Sequence, residues 1–416
     1  MDNQEEKNYI INYHLIKIYK MYHIFYPKNK PGLKIGKYNI NYYAINPFLS
    51  FLDLIVFISC FIGFFFVYND LYALFQISLS FFCAFNRIFK TIRFTRKFDE
   101  LWKLFDVMRD DFLSHNCYRK DIFQHYKKKC IVVINIYATI WFISLIIWIL
   151  NPLMMKEITV ENRQGNFVIY RNSPLQIFFS VMSYEHYEKM YILIYLIESA
   201  VLVSAVLDIL LYDITVIELC WMLSAQFKMI ASKYETFGYQ HTNNEEENNN
   251  NSVENLRNVI INHIHIIKKI KNFYELFKPI TIVQMGIMSN VYIALTFLCV
   301  LFYFKSGMLL SLIFLKFVCS SLAIMMHLYI SGYFFDYLEN ERNSMIYAIY
   351  SCNWTNQNME LKKMLLMAFS MNNGCNIVMR LTPTKFVNIE MFAKVMNVTY
   401  SIISLLTKKK LVEQSH

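Results

Sequence analysis

The sequence predicts an all-α membrane protein with seven transmembrane helices. Of its 416 residues, 56% are apolar and 17% are aromatic, whereas only 17% carry a charge, a balance that soluble domains of this size rarely show. Crossing the hydrocarbon core of a bilayer takes about 20 mostly apolar residues. Runs of that kind recur along the chain, at residues 49–68, 71–89, 131–150, 188–212, 280–304, 308–334 and 384–406.

The distribution of lysine and arginine predicts which way these spans run. Connecting segments on the amino-terminal side of the membrane hold 31 Lys and Arg residues, and those on the opposite side hold seven. Because cytoplasmic loops carry the excess of positive charge, we expect a cytoplasmic amino terminus and, after seven spans, an extracellular carboxyl terminus. G-protein-coupled receptors run the other way, and their DRY and NPxxY motifs are missing from this sequence.

The sequence lacks the motifs of several further classes of protein. The nine cysteines form no Cys-x-x-Cys pair, so they predict neither a zinc site nor a disulfide framework. No glycine-rich phosphate loop, HExxH or GxSxG pattern occurs, and the ten histidines lack ligand spacing, so we expect no enzyme, no metal and no cofactor. The chain opens with the polar MDNQEEKN rather than a signal peptide, so the first span should act as its own insertion signal.

Segments outside the spans have distinct patterns. Residues 9–28, within a cytoplasmic segment 1–48, fit either a helix lying in the membrane interface or a helix packed on the bundle. The helical pattern of the fourth span runs from Glu188 to Lys228, which is too long for one crossing and predicts an extension into the cytoplasm. The low-complexity HTNNEEENNNNS at 241–252 predicts a disordered loop, and an amphipathic helix at 253–278 should lead into the fifth span.

The region after the sixth span contains an ordered series of motifs: a glycine, an acidic patch, an AIY element followed by tryptophan, an amphipathic helix, and a TYS sequence in the last span. In order they are Gly332, Glu339 and Glu341, Ala348 to Tyr350 with Trp354, residues 360–374, and Thr399 to Ser401. The series resembles the carboxyl-terminal third of the insect odorant receptors. The sister gustatory receptors end in Thr-Tyr, five apolar residues and Gln-Phe, and Leu406 and Thr407 depart from that ending.

This resemblance implies an odorant-gated, non-selective cation channel subunit in the plasma membrane of olfactory sensory neurons. Such a subunit binds a small volatile and assembles with the insect odorant co-receptor (Orco) into a heterotetramer surrounded by membrane lipid; no nucleic acid is involved. The chain does not resemble the co-receptor itself, which is longer and has an extended loop before the fifth span.

The resemblance also divides the chain by role. Helices 1 to 6, at 49–334, would hold the odorant pocket in their outer half, and helices 4 to 6 would extend into a cytoplasmic anchor that includes residues 335–383. The last helix would be split, with its outer half in the pore-lining segment 384–410, followed by an extracellular tail at 411–416. The anchor residues implied are Tyr350, Trp354, Leu365 and Phe369.

The last span has two candidate pore faces. Polar residues recur every three or four positions and form one stripe on a helix, which would face either water in a pore or another helix, since lipid disfavours it. The stripe comprises Glu390, Lys394, Asn397, Ser401, Ser404 and Lys408. The family's gate, carried over by counting from Tyr400, falls instead on Ile403 with Leu406 beside it. Thr399 and Ser404 are the polar residues that we expect near this gate.

The ligand pocket is expected among the outer halves of helices 2, 3, 4 and 6, as the resemblance implies. A small volatile calls for an aromatic-lined cavity with few polar groups, although each aromatic residue taken singly also fits the core. The expected contacts are Tyr72, Phe75, Gln76, Trp141, Ser144, Trp148, Tyr187, Tyr191, Tyr195, Glu198, Phe314 and Phe317. An acidic residue within a span needs a partner, and Glu198 facing the ligand would favour an alcohol, an ester or an aldehyde.

Three other classes of membrane protein share part of this pattern. A gustatory-receptor-like ligand-gated channel shares the topology but not the terminal motif. A secondary transporter would show an internal repeat or a pair of helices broken by Gly or Pro, and the sequence contains neither. A zinc-dependent seven-helix receptor of the adiponectin type would need several His and Asp ligands within its spans, whereas His327 stands alone.

Overall fold

The computed structural model describes residues 33–35, 38–40, 42–66, 71–109, 112–114, 117–155, 157–161, 167–177, 182–239, 245–306, 312–374, 378–382 and 384–415. The helices, in chain order, are α1 (Tyr42–Phe66), α2 (Leu71–Arg96), α3 (Phe98–Leu104), α4 (Lys120–Met154), α5 (Tyr184–Thr236), α6 (Glu245–Ser306), α7 (Leu312–Ser351), α8 (Met359–Gly374) and α9 (Ile389–Ser415). Two antiparallel hairpins pair β1 (Leu33–Ile35) with β2 (Tyr38–Ile40) and β3 (Glu157–Glu161) with β4 (Phe167–Arg171). The predicted helix at 9–28 lies outside these residues.

The predicted spans coincide with helices of the described chain. Six of them, α2, α4, α5, α6, α7 and α9, are long and apolar enough to cross a bilayer. In α1 the apolar stretch Phe51–Phe66 is shorter, and its exposed face carries Phe51, Leu54, Ile58 and Phe61. Large apolar side chains exposed at helical spacing fit contact with lipid.

Three helices are far longer than one membrane crossing. α5 has 53 residues, α6 has 62 and α7 has 40, and at about 1.5 Å per residue all exceed the roughly 30 Å of hydrocarbon. The end of α5 meets the chain before α8, where the Asn353 amide N–H donates to the Phe237 carbonyl over 3.1 Å. The start of α5 meets β4, where the Tyr187 hydroxyl donates to the Arg171 carbonyl. We call these ends of the bundle the α8 side and the hairpin side.

The α8 side is built around α5. Every residue of α5 from Ile209 to Phe227 is buried, which is the pattern of a helix enclosed by others on all sides. Its Trp221 ring packs against Phe334 of α7 with centroids 5.0 Å apart. The extension predicted for helices 4 to 6 is therefore confirmed, with α5, α6 and α7 as those helices.

Two boundaries differ from the sequence prediction. Residues 245–252, predicted to be disordered, form the start of α6, because adding turns to a long, stable helix costs far less than nucleating a new one; residues 241–244 lie outside the described chain. The last span begins at Ile389 rather than 384, because the preceding chain forms a turn. Backbone bonds from Leu381 N–H to the Lys385 carbonyl, 2.8 Å, and from Val387 N–H to the Met379 carbonyl, 2.9 Å, close it.

Gly332 lets α7 approach the start of α9. A Cβ at this position would lie 2.8 Å from the Asn388 carbonyl oxygen, whereas a Cβ at Gly286 of α6 would meet nothing within 4 Å. We therefore expect Gly332→Ala to destabilise the protein by about 1–3 kcal/mol, as overpacking does. The matched Gly286→Ala should be neutral or gain up to about 1 kcal/mol from helix propensity.

Thermal unfolding of both variants in detergent tests this prediction. A lower midpoint for Gly332→Ala together with an unchanged or higher one for Gly286→Ala is the expected result. Equal midpoints would contradict the close approach of α7 to the residues before α9.

Candidate functional site

A cavity of about 110 Å³ lies among α1, α2, α4, α5, α6 and α7. Its walls are mainly apolar, and its volume is comparable with the ~150 Å³ of an engineered apolar cavity that admits benzene. The apolar lining consists of Val56, Leu79, Cys83, Ala84, Leu145, Leu175, Val201, Leu202, Ala205, Val206, Ile209, Met288, Val291, Leu295 and Ile324. The remaining lining residues are Asp53, Ser80, Arg87, Trp141, Ser144, Trp148 and Ser320.

Polar groups near the hairpin side bond to one another. The Trp148 Nε1–H donates to Ser320 Oγ over 2.6 Å, and Ser144 Oγ lies 3.3 Å from Ser320 Oγ. Lys316 is buried, and its Nζ lies 3.8 Å from the centroid of the Trp148 ring. This cation on the ring face and the hydrogen bond at the ring edge fix the orientation of Trp148. We call this part of the cavity, with Leu175, its loop end.

Charged groups line the opposite end of the cavity. The Arg87 Nη1 donates to Asp53 Oδ1 over 2.9 Å and also to Ser204 Oγ. The Arg87 guanidinium forms a second ion pair, with Asp208 of α5. Since Arg87 and Asp53 are only 4% and 2% exposed, each charge needs its partner to remain inside the bundle. We call this part the charged end.

The structure brings three of the predicted ligand contacts to this cavity, namely Trp141, Ser144 and Trp148 of α4. On α2 the cavity lies deeper than predicted, next to Leu79 and Cys83, while Phe75 packs against Phe297 with ring centroids 5.6 Å apart. Tyr72 packs edge to face on Phe317, at 6.1 Å. Gln76 is buried without a hydrogen bond to its side chain, and Phe314 is half-buried. The predicted contacts that do not line the cavity are therefore Tyr72, Phe75, Gln76, Phe314 and Phe317.

The tyrosines of α5 do not line the cavity; on the hairpin side, two of them bond to the chain at the end of β4 and the third bonds to α4. Their hydroxyls donate to backbone carbonyls: Tyr187 to Arg171 over 2.8 Å, Tyr191 to Asn172 over 2.9 Å and Tyr195 to Ile149 over 2.9 Å. A row of aromatic residues on one helix face is consistent with either role, because spacing alone does not reveal what the hydroxyls reach.

Glu198 completes this row, and its carboxylate does not face the cavity. It accepts hydrogen bonds from the backbone N–H groups of Leu175, Gln176 and Ile177, at 2.8, 3.2 and 3.2 Å. Gln176 adopts a left-handed φ of 54°, which fits the sharp turn that aims successive N–H groups at one anion. The acidic residue in the span has a partner, as its cost in lipid requires, but that partner is the segment 172–177.

Segment 172–177 therefore links Glu198 to the cavity indirectly. Its Leu175 contributes to the cavity wall, and its ends are fixed by side chains of the same segment. The Asn172 Nδ2 donates to the Met155 carbonyl over 2.9 Å, and the Gln176 Nε2 donates to Asn172 Oδ1 over 2.6 Å. Glu198 thus positions a wall of the cavity without touching its contents.

A second polar cluster lies on the α8 side of the cavity. The Asp213 carboxylate accepts hydrogen bonds from the Tyr137 hydroxyl and from Gln284 Nε2, the latter over 2.8 Å. It also lies 2.8 Å from His327 Nδ1. These residues come from α4, α5, α6 and α7. Tyr137 packs edge to face against Trp141, with centroids 6.4 Å apart, so the cluster adjoins the cavity wall.

The predicted pore and gate residues occupy different faces of α9. Five residues of the polar stripe, including Lys394 and Ser401, are exposed, and Ser404 is half-buried. Ile403 and Leu406 are also half-buried, and Thr399 is buried with its hydroxyl donating to the Val395 carbonyl over 2.9 Å. The stripe therefore points away from the bundle of its own chain.

The predicted anchor residues lie on the α8 side with different exposure. Tyr350 and Trp354 are 70% and 40% exposed, and their rings lie 6.3 Å apart. Leu365 is buried in the core of the chain itself, and Phe369 is half-buried against that core. Leu365 thus holds α8 to its own bundle, whereas Tyr350 leaves an aromatic surface open.

Comparison with known proteins gives one family and one fold. A family model described as 7tm odorant receptor matches residues 69–400. The structure is similar to that of the insect olfactory receptor OR5 from Machilis hrabei, with a TM-score of 0.70, 14% identity and coverage of 94% of this chain and 98% of that one. The same receptor in complex with eugenol gives a TM-score of 0.69 and 12% identity, covering 95% and 98% of the two chains. No curated protein sequence matches the chain.

We predict that Glu198→Gln loosens segment 172–177. The neutral amide offers one acceptor oxygen where the carboxylate offers two, and hydrogen bonds to a charged group contribute about 1.5–3 kcal/mol each. Backbone hydrogen exchange at residues 175–177 should become faster, and the thermal midpoint should fall. Glu185→Gln, the same change at an exposed position of α5, is the matched control and should alter neither measurement. Unchanged exchange in Glu198→Gln would show that the carboxylate does not hold the segment.

Proposed function

Because the chain belongs to the 7tm odorant receptor family, we propose that it is the ligand-tuning subunit of an odorant-gated, non-selective cation channel. In this proposal it is a multi-pass protein of the plasma membrane of olfactory sensory neurons and forms a heterotetramer with the odorant co-receptor. The cavity of about 110 Å³ among six helices is the observation that carries the proposal. A largely apolar cavity with a few polar groups is the kind of site that a small volatile requires.

The lining of the cavity supports a ligand of about one ring or one short chain. The similar receptor from Machilis hrabei is described in complex with eugenol, a small aromatic volatile, and in this chain the Trp141 and Trp148 rings offer surfaces on which an aromatic ring can stack. A volatile in the cavity would lie against α5, α6 and α7, the three helices that extend well beyond one membrane crossing. Ligand binding is thereby coupled to the packing of the whole bundle.

Opening requires that the volatile bind the open state more tightly than the closed one, since equal affinity shifts no equilibrium. α7 offers a route for that difference. It contributes Ser320 and Ile324 to the cavity and, further along, its Asp336 Oδ2 accepts from the N–H of Ile389 over 2.9 Å. Tyr329 of α7 also packs edge to face on Phe392 of α9, at 5.6 Å. A shift of α7 at the cavity would therefore act on the start of α9.

We infer that α9 is completed by other subunits around a pore. Its polar stripe is exposed in the single chain, and polar side chains in lipid are costly unless they meet water or protein. Two arrangements satisfy this requirement: the stripe lines a water-filled pore, or it bonds a helix of the adjacent subunit while Ile403 and Leu406 form an apolar gate. Hydrophobic constrictions close channels by excluding water.

The excess of Lys and Arg on the α8 side supports a cytoplasmic location for that side. The exposed Tyr350 and Trp354 there would contact the neighbouring subunits, while Leu365 and Phe369 support α8 from within the chain. Aromatic residues on an otherwise polar surface are enriched at protein interfaces.

Filling the cavity should weaken the response to odorants. Ala84 lines the cavity and is 5% exposed, so Ala84→Leu removes space that a ligand would occupy. Cells that express the chain with the co-receptor are expected to give odorant-evoked, sodium-dependent inward current. Ala84→Leu should raise the odorant concentration needed for half of the maximal current at least about tenfold, which corresponds to a loss of about 1.4 kcal/mol in binding. Ala200→Leu, the same change on an exposed face of α5, should leave the current intact.

Two results would contradict these expectations. A full response from Ala84→Leu at equal surface expression would remove the cavity as the odorant site. Current that does not require the co-receptor would overturn the proposed partner.

Cysteine substitution from residue 397 to 407 should identify the pore face of α9. If the apolar gate lines the pore, aqueous thiol reagents applied during odorant exposure should modify Ile403→Cys and Leu406→Cys and change the current. Modification at residues 401 and 404 without 403 would assign the pore to the polar stripe instead. Val398→Cys, at a position 50% exposed outside both sets, serves as the control.

A further inference from the structure

We propose that α4 binds an anionic phospholipid of the cytoplasmic leaflet. In this proposal Lys128 and Lys129 hold the charged headgroup, and the exposed apolar face that follows them contacts the acyl chains. α4 begins on the α8 side, where the Arg119 N–H contacts Met229 Sδ of α5 over 3.3 Å. The proposal uses the cytoplasmic location inferred for that side and is otherwise independent of the odorant function.

The exposed face of α4 changes from basic to apolar within one helical turn. Lys128 and Lys129 are exposed, and large apolar side chains follow them at helical spacing on the same face. These exposed apolar residues are Val132, Ile136, Phe142, Ile143, Ile146, Leu150 and Leu153. An exposed apolar stripe fits hydrocarbon, whereas exposed lysines fit the polar surface of the membrane. The edge of the hydrocarbon therefore lies between Lys129 and Val132.

The lysines at this edge have no acidic partner within the described part of the chain. Residues 127–129, all lysine, take part in none of the ion pairs that the described residues form. Charged groups nearby are engaged elsewhere: Arg119 pairs with Asp121 over 2.8 Å, and Glu341 accepts from the Tyr126 hydroxyl over 3.2 Å. Three adjacent positive charges at a membrane surface attract anionic headgroups.

Tyrosines of α7 mark the same depth independently. Tyr126 lies within one turn of the lysines, and its hydroxyl accepts from the Tyr337 hydroxyl over 3.2 Å. The exposed Tyr333 ring stacks on Tyr337, with centroids 6.0 Å apart. The helix α9 also begins here, because Asp336 accepts from the Ile389 N–H. Exposed tyrosines are enriched where hydrocarbon meets headgroups, so two helices place the interface at one level.

A phospholipid matches both parts of this face of α4. Val132 lies one turn beyond Lys128, about 6 Å along the helix axis, so one molecule can place its phosphate at the lysines and its acyl chains on the apolar stripe. A soluble anion would satisfy the lysines alone. Phosphatidylcholine has no net charge to offer them, whereas phosphatidylserine carries one negative charge. The preference should therefore be for anionic lipid.

A lipid bound here would act on the position of α4 rather than on the contents of the cavity. The same helix carries Trp141 and Trp148 to the cavity wall and Tyr137 to the Asp213 carboxylate. Lys128 is 13 residues before Trp141, about 20 Å along the axis. Headgroup binding thus fixes how deep α4 lies in the membrane.

Native mass spectrometry of the full-length protein in detergent tests the proposal, because it resolves lipids that bind one at a time. Phosphatidylserine and phosphatidylcholine with identical acyl chains are titrated separately. We expect the first phosphatidylserine to bind at least about threefold more tightly than the first phosphatidylcholine, since each lysine near the surface favours anionic lipid. Raising the ammonium acetate concentration should reduce this preference, because salt screens exposed charges.

The double variant Lys128→Gln with Lys129→Gln should lose the preference for phosphatidylserine and keep the affinity for phosphatidylcholine. Glutamine retains a polar side chain but carries no charge. Lys362→Gln with Lys363→Gln, which removes two adjacent lysines from α8, is the matched control and should keep the preference. Glycerophosphoserine, the water-soluble headgroup, should not displace the lipid because it lacks the acyl chains that contact the apolar stripe.

Three results would overturn the proposal. Equal affinities of the wild-type protein for the two lipids, or a preference that the double variant at Lys128 and Lys129 leaves unchanged, would show that these lysines bind no anionic headgroup. This face of α4 would then be left to a neighbouring protein chain. Displacement by an equal concentration of glycerophosphoserine would indicate a site for soluble anions. No odorant and no current enters these measurements, so none of these results bears on the proposed channel function.

Discussion

One buried carboxylate, Asp213, joins four of the helices on which the fold depends. It receives hydrogen bonds from Tyr137 of α4 and Gln284 of α6 and contacts His327 of α7. Inside a bundle surrounded by lipid an ion of this kind is costly unless each of its oxygens is engaged. The four helices therefore pack in the one relative register in which their side chains reach both oxygens of the Asp213 carboxylate. The cavity lies immediately beyond this point, because Tyr137 and Trp141 are one turn apart on α4 and pack together.

The same requirement explains two other buried charged residues, Glu198 and Arg87. Glu198 is satisfied by the backbone of segment 172–177, and Arg87 is satisfied by two carboxylates from different helices. Each of these polar groups specifies one contact between parts of the chain. Apolar packing alone specifies such contacts weakly, because apolar side chains of similar size can replace one another in a core. The cavity is what remains between these fixed points: segment 172–177 lies at one end, and the Asp53–Arg87 pair lies at the other.

α9 differs from the other helices because little of its surface is covered by its own chain. α5 is enclosed over many turns, whereas α9 leaves most of its surface, including the polar stripe, uncovered by its own chain. A helix in that state needs neighbours, and α7 holds its start through Asp336, Tyr329 and the close approach at Gly332. The arrangement suits a helix that is positioned by one subunit and completed by others.

The sequence by itself determined that the chain is a helical protein with several membrane-spanning segments and that α5 and α6 extend beyond one crossing. These follow from local hydropathy and helical period, which each segment carries independently of its neighbours. The family resemblance also placed Trp141, Ser144 and Trp148 among the expected ligand contacts, and all three line the cavity because α4 carries them on one face. Only the tertiary structure decided that Tyr187, Tyr191 and Glu198 bond to the chain at residues 171–177, that Tyr195 bonds to α4, and that Asp53 and Arg87 line the cavity. The partners of a polar side chain come from distant parts of the chain, and helical spacing indicates the face on which a side chain lies but not what that face meets.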